Sequence, residues 1–353
     1  MSLSKKSKEK NIQSFLIHWY KNNKRNLLWR KIQKNNLPRP YYVFVSEYML
    51  QQTTVGTVKN RFKEFILNWP SINALANASE EKILIFWAGL GYYSRARNLH
   101  KASRIIKNKY KSKIPNNYSE LIKLPGIGDY TAKAILGIAY NQPFIPLDAN
   151  IERILSRLYG LQKPLLKIKK ELNEKSNLFI SKNFSSELIQ AFMDYGSEVC
   201  LPRKPKCDKC LISNKCISYK KNLQNIVPIK TKYKIPKIKK YTRAYILYNE
   251  KNEILIRKRS PTGMLASMFE VPNDNWEIDK KKLIKDKIAL KAKNKMSSKG
   301  LVNYSFSHFD LETEVFFINV KKNIFRNQKW IKKNKVKSSG LPTVMKKIVE
   351  AGL

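Results

Sequence analysis

Residues Leu124–Asp148 read LPGIGDYTAKAILGIAYNQPFIPLD, and the rest of the chain is organised around them. Leu124-Pro125-Gly126-Ile127-Gly128 reads as a tight hairpin, because two glycines flanking one apolar residue allow a backbone path that Cβ atoms would block. From Thr131 to Ala139 the apolar spacing is helical, with Ala132, Ile135, Leu136 and Ala139 on one face. A glycine turn at a helix N-terminus leaves consecutive N–H groups pointing outward, which suits a phosphate. The Gly/Pro-rich remainder delivers one carboxylate, Asp148, ahead of the helical run IERILSRL at residues 151–158. Asp148 can cap that helix, and a carboxylate kept ionised by helix-terminal N–H groups is also well placed to stabilise a cation. Pro-Gly-x-Gly alone decides nothing, since such turns also join ordinary core helices.

The 353-residue chain carries 70 Lys+Arg against 26 Asp+Glu, a formal net charge of +44. That balance points to a polyanionic partner without specifying a site, because Lys, Asn and Ile are abundant throughout and much of the charge can be a solvated face. The length allows two domains with full cores. Met1 to Asn11 is charged with no apolar h-region behind it, so no secretory signal is read there. No run approaches the ~18 apolar residues of a membrane span. These features predict a soluble, cytoplasmic protein.

Residues 1 to about 11 are Lys/Ser-rich and are expected to fray. Ile12 to Tyr20 is helical in pattern, and KRNLLWRK follows, in which Arg25, Trp29 and Arg30 interleave cations with an aromatic. A surface loop anchored by one Trp and a direct DNA contact are both open there. Asn35 to Pro40 is a loop leading into a helical region around Tyr42 to Trp69. Ser79 to Phe86 reads as a helix capped by Ser79, running into GLGYYSRARNLHKAS, where Gly89 and Gly91 turn the chain before a basic helix. Lys220 to Lys240, basic and holding Pro228 and Pro236, reads as a linker. Beyond it, TRAYILY and EILIRKR predict a hairpin, and a Lys-rich helical stretch follows near Lys280 to Lys293. LVNYSFSHFD and TEVFFINV predict two more strands, and Leu341-Pro342 opens a last short helix. The chain thus divides into a mostly α region at 1–219, a linker at 220–240 and an α+β domain at 241–353.

Two further groups carry chemistry. Glu47 sits in YYVFVSEYML, a run so apolar that an unpaired carboxylate buried there would be costly. Desolvation would raise its pKa and let it hold a proton near neutral pH. Periodicity alone leaves a solvent-facing Glu equally open. The four cysteines, Cys200, Cys207, Cys210 and Cys216, fall in one segment spaced C-x6-C-x2-C-x5-C. A cytosolic chain argues against disulfides, and a structural zinc site made of four thiolates is open on the clustering alone. Arg203-Lys204-Pro205-Lys206 forms a basic loop between the first two cysteines that suits a DNA backbone.

Leu124–Asp148 resembles the helix-hairpin-helix plus Gly/Pro plus Asp signature of the base-excision DNA glycosylases related to endonuclease III. SE-x-MLQQT, Ser46 to Thr53, is similar to the catalytic segment of their adenine-specific MutY branch. The resemblance runs from about Arg25 to the last helix. It implies a six-helix-barrel glycosylase domain with a [4Fe–4S] cluster on the four cysteines. It implies a monofunctional enzyme that hydrolyses the N-glycosidic bond of adenine opposite 8-oxoguanine or guanine in double-stranded DNA. In that reading Glu47 protonates the departing base and then helps activate water, while Asp148 stabilises the oxocarbenium-like sugar and Asn150 supports the same site. Gly126 and Gly128 grip the backbone, Gln52 looks like a wedge in the duplex, and Tyr93 resembles another intercalating or stacking residue. Arg25, Trp29 and Arg30 are carried as DNA-contact candidates.

Position 130 separates the branches, because bifunctional relatives place a Schiff-base Lys there and this chain has Tyr130, as several MutY proteins do. Lys133 departs from the usual small residue; one turn along, it is expected to be drift rather than a lyase nucleophile. GMLASMFEVP and YSFSHFDL resemble the MutT-like, Nudix-fold domain that MutY carries for recognising 8-oxoguanine. The acidic helix of Nudix hydrolases is missing, so Mg²⁺-dependent pyrophosphate hydrolysis is not expected. Phe306, Ser307 and His308 match the loop that contacts 8-oxoguanine, whereas Ser267 and Phe269 depart from the family's small residue and Trp. A bifunctional endonuclease III-like glycosylase/lyase and a non-catalytic damage-binding protein are the alternatives. A DNA-bound monomer with no membrane partner is expected.

Overall fold

The computed structural model describes residues 3–229, 236–292, 295–321 and 328–353. The middle of the expected linker, 230–235, and the end of the Lys-rich stretch, 293–294, lie outside the described residues. The chain forms two compact units, Met1–Asn77 with Asn98–Tyr233, and Ala78–Arg97 with Lys234–Leu353. The segment Ala78–Arg97 thus groups with the C-terminal residues.

The helices are α1 (Leu3–Asn23), α2 (Pro40–Leu50), α3 (Val55–Asn68), α4 (Ile72–Asn77), α5 (Glu80–Trp87) and α6 (Ser94–Lys109). They continue with α7 (Tyr118–Leu121), α8 (Asp129–Tyr140), α9 (Ala149–Tyr159), α10 (Lys169–Asn177), α11 (Ser185–Glu198) and α12 (Ile217–Lys220). In the first unit α8 is central. Ala132, Ile135, Leu136 and Ala139 are buried as their spacing predicts, but so are Thr131, Ala134, Gly137 and Ile138. The expected one-faced helix is therefore covered almost all round, with α2 and α11 packed on it.

Fraying is expected over residues 1 to about 11, but among the described residues α1 runs from Leu3, Glu9 is buried and accepts a bond from the Tyr159 hydroxyl at 2.9 Å, and Ile12 and Leu16 enter the core. The helical region Tyr42 to Trp69 is two helices, because Gln52 takes φ +57° and Thr54 caps α3 by accepting from the Thr57 N–H. Ser79 caps α5 as its position predicts, accepting from the Lys82 N–H at 3.3 Å.

In the second unit the strands are β1 (Ile238–Asn249), β2 (Glu253–Lys258), β3 (Phe269–Glu270), β4 (Ser297–Ser305), β5 (Phe309–Val320) and β6 (Lys329–Lys332). They form a mixed sheet in the order β3-β2-β1-β5-β4, with β6 also on β2. The hairpin turn pairs Tyr248 with Ile254, and β1 runs parallel to β5 from Ile238↔Phe309 to Asn249↔Val320. Side chains alternate across the sheet. Ala244, Ile246 and Val315 face α14 (Thr343–Gly352), while Tyr245, Leu247 and Ile318 face α13 (Lys287–Lys291).

Among the described residues the Lys-rich stretch forms a turn at Lys280–Lys282 and the short α13. Asp286 explains the break, because its buried carboxylate both caps α13 and pairs with Arg257 at 2.5 Å. Ser267 lies at φ +60°, a conformation that favours glycine. No helix among the described residues is long and apolar enough to cross a membrane.

Candidate active site

A cavity of about 260 Å³ lies in the first unit, walled by the loop after α1 and by α2, α8, α9 and α11. Glu47, Tyr130, Asp148 and Asn150 all line it, so four residues distant in sequence meet at one place. Glu47 is 7% exposed; burial, then the nearby charge of Asp148, pushes its carboxyl up to about 8. The Tyr130 hydroxyl hydrogen-bonds Glu47 and partly opposes that rise. Burial and the two carboxylates hold the Tyr130 phenol far above its ordinary value, so it stays a donor.

Asp148 is the N-cap of α9. One oxygen accepts from the N–H groups of Asn150 at 3.0 Å and Ile151 at 2.7 Å; the other accepts from the Asn150 side chain at 2.8 Å. Burial raises the Asp148 carboxyl, and these bonds to its ionised form work against that. Asn150 is held in turn by Arg153, which donates to its amide oxygen at 2.8 Å and to the carbonyls of Gly196 at 2.6 Å and Cys200 at 2.7 Å. Gly196 is obligatory here: a Cβ would meet Asn150 Cβ at 2.6 Å.

The wall beyond Glu47 depends on Asp194, an acid the sequence reading did not single out. Its side chain is wholly buried and pairs with Arg25 at 2.5 Å and Arg30 at 2.6 Å. Burial alone would raise this carboxyl, but the bonds and charge of Arg30, joined by Arg25, reverse that and hold it below the ordinary range. Trp29 is buried edge-on against Phe62 at 5.2 Å. Arg25, Trp29 and Arg30 therefore shape the cavity, and both guanidinium groups are engaged within the protein. The signal for Asp194 was an acid inside the apolar helical run AFMDYG, the same signal that marked Glu47.

The hairpin ends at Gly128, the N-cap of α8, and both Gly126 and Gly128 are exposed. Gly126 takes φ +80°. Gln52 stands exposed between α2 and α3. Lys133 is tied to Asp129 at 2.9 Å, one turn back on α8.

The four cysteines line a single small cavity together with Arg157, Tyr195 and Gln224. Among the described residues no group of three or more His, Cys, Asp or Glu is placed to hold a single metal ion. Burial and then the neighbouring thiols push Cys207 up to about 11, so thiolates there require a compensating cation. Arg157, 3% exposed, donates to Cys200 Sγ at 3.3 Å and to the Leu201 carbonyl at 2.7 Å, and the Tyr195 hydroxyl donates to Cys210 Sγ at 3.3 Å. Sulfur ligands with donors aimed at them fit an iron–sulfur cluster.

In the second unit, Phe306 stacks on Phe309 at 4.7 Å and leaves Ser307 and His308 exposed at the β4–β5 turn. They line a cavity of about 520 Å³ with Tyr92, Tyr93, Arg97 and Met264. Tyr93 is buried at 7%, whereas Tyr92 is 43% exposed at φ +45°, and its hydroxyl meets Ser307 Oγ at 2.7 Å. The accessible ring is therefore the first tyrosine of the pair; the turn at Gly89 and Gly91 decides which one points out.

Residues 45–179 match the HhH-GPD superfamily of base excision DNA repair proteins, and residues 243–351 match the NUDIX domain. The chain is 36% identical to the adenine DNA glycosylase of Buchnera aphidicola subsp. Schizaphis graminum, over 95% of this chain and 96% of that one. It is 29% identical to the adenine DNA glycosylase of Schizosaccharomyces pombe, over 92% and 86%. Among solved structures, a thermostable thymine-DNA glycosylase superposes with TM-score 0.54 and 26% identity, over 61% of this chain and 98% of that one. Endonuclease III in a trapped covalent intermediate with DNA shares the fold, with TM-score 0.52 and 22% identity over 62% and 98%.

Asp194→Asn should destabilise the first unit by about 3 kcal/mol, since it leaves the part-buried Arg25 and Arg30 guanidinium groups short of their counter-charge. The native carboxyl is depressed, so its stabilisation is present above the unfolded Asp value of about 3.9 and is lost as pH falls through the folded value. Denaturant unfolding of both proteins across acid pH measures this. The variant should lack that acid-dependent loss, and equal stability at neutral pH would refute the structural role.

Proposed function

The chain belongs to the adenine DNA glycosylase (MutY) family, and on that premise we propose that it hydrolyses the N-glycosidic bond of adenine paired with 8-oxoguanine or guanine, without cutting the strand. The observation that carries this is one cavity with two carboxyl groups in unlike surroundings. Glu47, pushed up to about 8, holds a proton at neutral pH, whereas Asp148 is surrounded by donors to its anion. Such a split matches the two needs of base removal. Glu47 gives its proton to the departing base as the sugar–nitrogen bond breaks and the electron pair leaves with the base. Positive charge then spreads over the sugar, facing the Asp148 carboxylate. Glu47, now ionised, takes a proton from the attacking water, and Asn150 holds Asp148 in place.

Base removal without strand cleavage is supported by Tyr130, which hydrogen-bonds Glu47, and by the ion pair that occupies Lys133. The hairpin at Gly126 and Gly128 would bind the backbone, and exposed Gln52 would wedge into the duplex. In the second unit, Ser307 and His308 would hydrogen-bond 8-oxoguanine, while the exposed Tyr92 ring offers a stacking surface that buried Tyr93 does not. Cys200, Cys207, Cys210 and Cys216 would hold a [4Fe–4S] cluster, which when bound supplies a rigid cross-link and a one-electron couple. Arg157 and Tyr195 orient those thiols, and Arg153 links the Cys200 carbonyl to Asn150. Nucleoid DNA in the cytoplasm, bound by a monomer, is the setting this reading implies.

Single-turnover adenine release from a duplex with a central A:8-oxoguanine pair should be abolished in Glu47→Gln while duplex binding persists. In the native protein the rate should fall as pH rises through about 8, where Glu47 loses its proton, and again in acid as Asp148 gains one. Full activity of the variant, or a rate that climbs through pH 8, would sink the assignment. Borohydride trapping of a DNA adduct would favour the lyase alternative.

Changing Ser307 and His308 to Ala should weaken the preference for A:8-oxoguanine over A:G more than it slows release. Equal loss on both duplexes would count against recognition by this turn. The purified protein should show broad visible absorption with iron and sulfide, bleached by loss of iron; a colourless protein containing zinc would contradict the cluster.

A further inference from the structure

Tyr48 follows Glu47 on α2 and is wholly buried, with its ring edge-on to Phe44 at 5.2 Å. Its hydroxyl donates to the Pro125 carbonyl oxygen in the hairpin. Just past the end of the same helix, at its C-cap, Gln51 Nε2 donates to the Gly126 carbonyl at 3.2 Å. Gly126 itself leaves the room this requires: a Cβ there would meet Tyr48 Cε1 and Asn98 Cβ, each at 2.9 Å. The catalytic helix and the hairpin are therefore interlocked by two hydrogen bonds and one steric fit.

Two consequences follow from elementary geometry. In a trans peptide the C=O and the next N–H point in opposite directions, so drawing the Pro125 carbonyl inward turns the Gly126 N–H away from α2. That N–H is one of the donors the proposed phosphate contact would use. On α2, neighbouring side chains project about 100° apart, so anchoring Tyr48 to the hairpin also sets the rotation at which Glu47 enters the cavity. One side chain thus governs the direction of a backbone donor and of the proton-bearing carboxyl.

We propose that Tyr48 is a positioning residue that couples the hairpin's grip on the DNA backbone to the placement of Glu47, with Gln51 as its second tie. The coupling rests on the reading of Glu47 as the acid and of the hairpin as the phosphate contact. Tyr48 touches neither base nor sugar in this scheme. It makes the geometry of Glu47 depend on the hairpin's being in its gripping conformation.

The test removes one oxygen. Tyr48→Phe and Gln51→Leu are compared with the native protein and with Glu47→Gln, using single-turnover adenine release from the A:8-oxoguanine duplex, duplex affinity, thermal unfolding and the pH profile. Loss of one buried hydrogen bond that acts on the reacting state should slow release by about tenfold in Tyr48→Phe. Affinity should weaken by less, and the alkaline limb near pH 8 should move, because the surroundings of Glu47 have changed. A merely structural role would shift unfolding and leave the rate and the alkaline limb, measured well below the melting temperature, where they were. That result overturns the coupling. Should Tyr48→Phe fold poorly, the smaller Gln51→Leu change must still separate rate from affinity, or the proposal fails. If Glu47→Gln is also fully active, the acid assignment has failed and the coupling falls with it. If only the Tyr48 and Gln51 variants behave as native, the coupling alone is wrong.

Discussion

Glu47 and Asp148 line one cavity, and burial raises the free energy of charge on both. Two anions cannot share such a space without help, and the first unit supplies that help to only one of them. Asp148 has two backbone N–H groups, the Asn150 amide and the N-terminus of α9. Glu47 has a single phenol. The asymmetry favours the proton on Glu47 and the negative charge on Asp148. Much of the surrounding structure holds it in place: Arg153 fixes Asn150, Gly196 makes room for it, and Asp194 fixes the loop that closes the cavity.

The run Met193-Asp194-Tyr195-Gly196 shows how closely these tasks are packed. Met193 lines the cavity, Asp194 anchors Arg25 and Arg30, Tyr195 donates to a cysteine sulfur, and Gly196 accommodates Asn150. Four adjacent residues can serve four neighbours because helix positions project in successive directions about 100° apart. The thiol loop belongs to the same economy of placement, since the Cys200 carbonyl receives the Arg153 guanidinium that also holds Asn150.

The second unit solves a different problem. Its sheet is covered on both faces, by α14 and α13, while Ser307 and His308 at the β4–β5 turn stay exposed. Glu270, 4% exposed, is matched there by Arg257 at 2.8 Å, by Arg259 and by the Asn273 amide at 2.7 Å. That network holds the short β3 against β2, and a two-residue strand is too short to carry a periodic signal.

Local chemistry made much of this legible in the sequence alone. The Ser79 and Asp148 caps, the glycine hairpin, the apolar face of α8, the alternation in β5, and the clustering of the cysteines each depend on residues a few positions apart. Their physics is short-range, so spacing suffices to read it. What lay beyond reach depends on partners distant in the chain. Nothing near Arg25 or Arg30 announces Asp194, some 165 residues on, so two surface-looking cations became parts of a buried wall. Which of Tyr92 and Tyr93 faces out is set by the turn before them. Whether Glu47 faced solvent or cavity was open on periodicity and was decided by the elements packed around it. The sequence by itself determined which groups were available and on which local elements they sit. Only the tertiary structure decided their protonation, pairing and direction, because desolvation and long-range ion pairs exist only once the chain has closed around them.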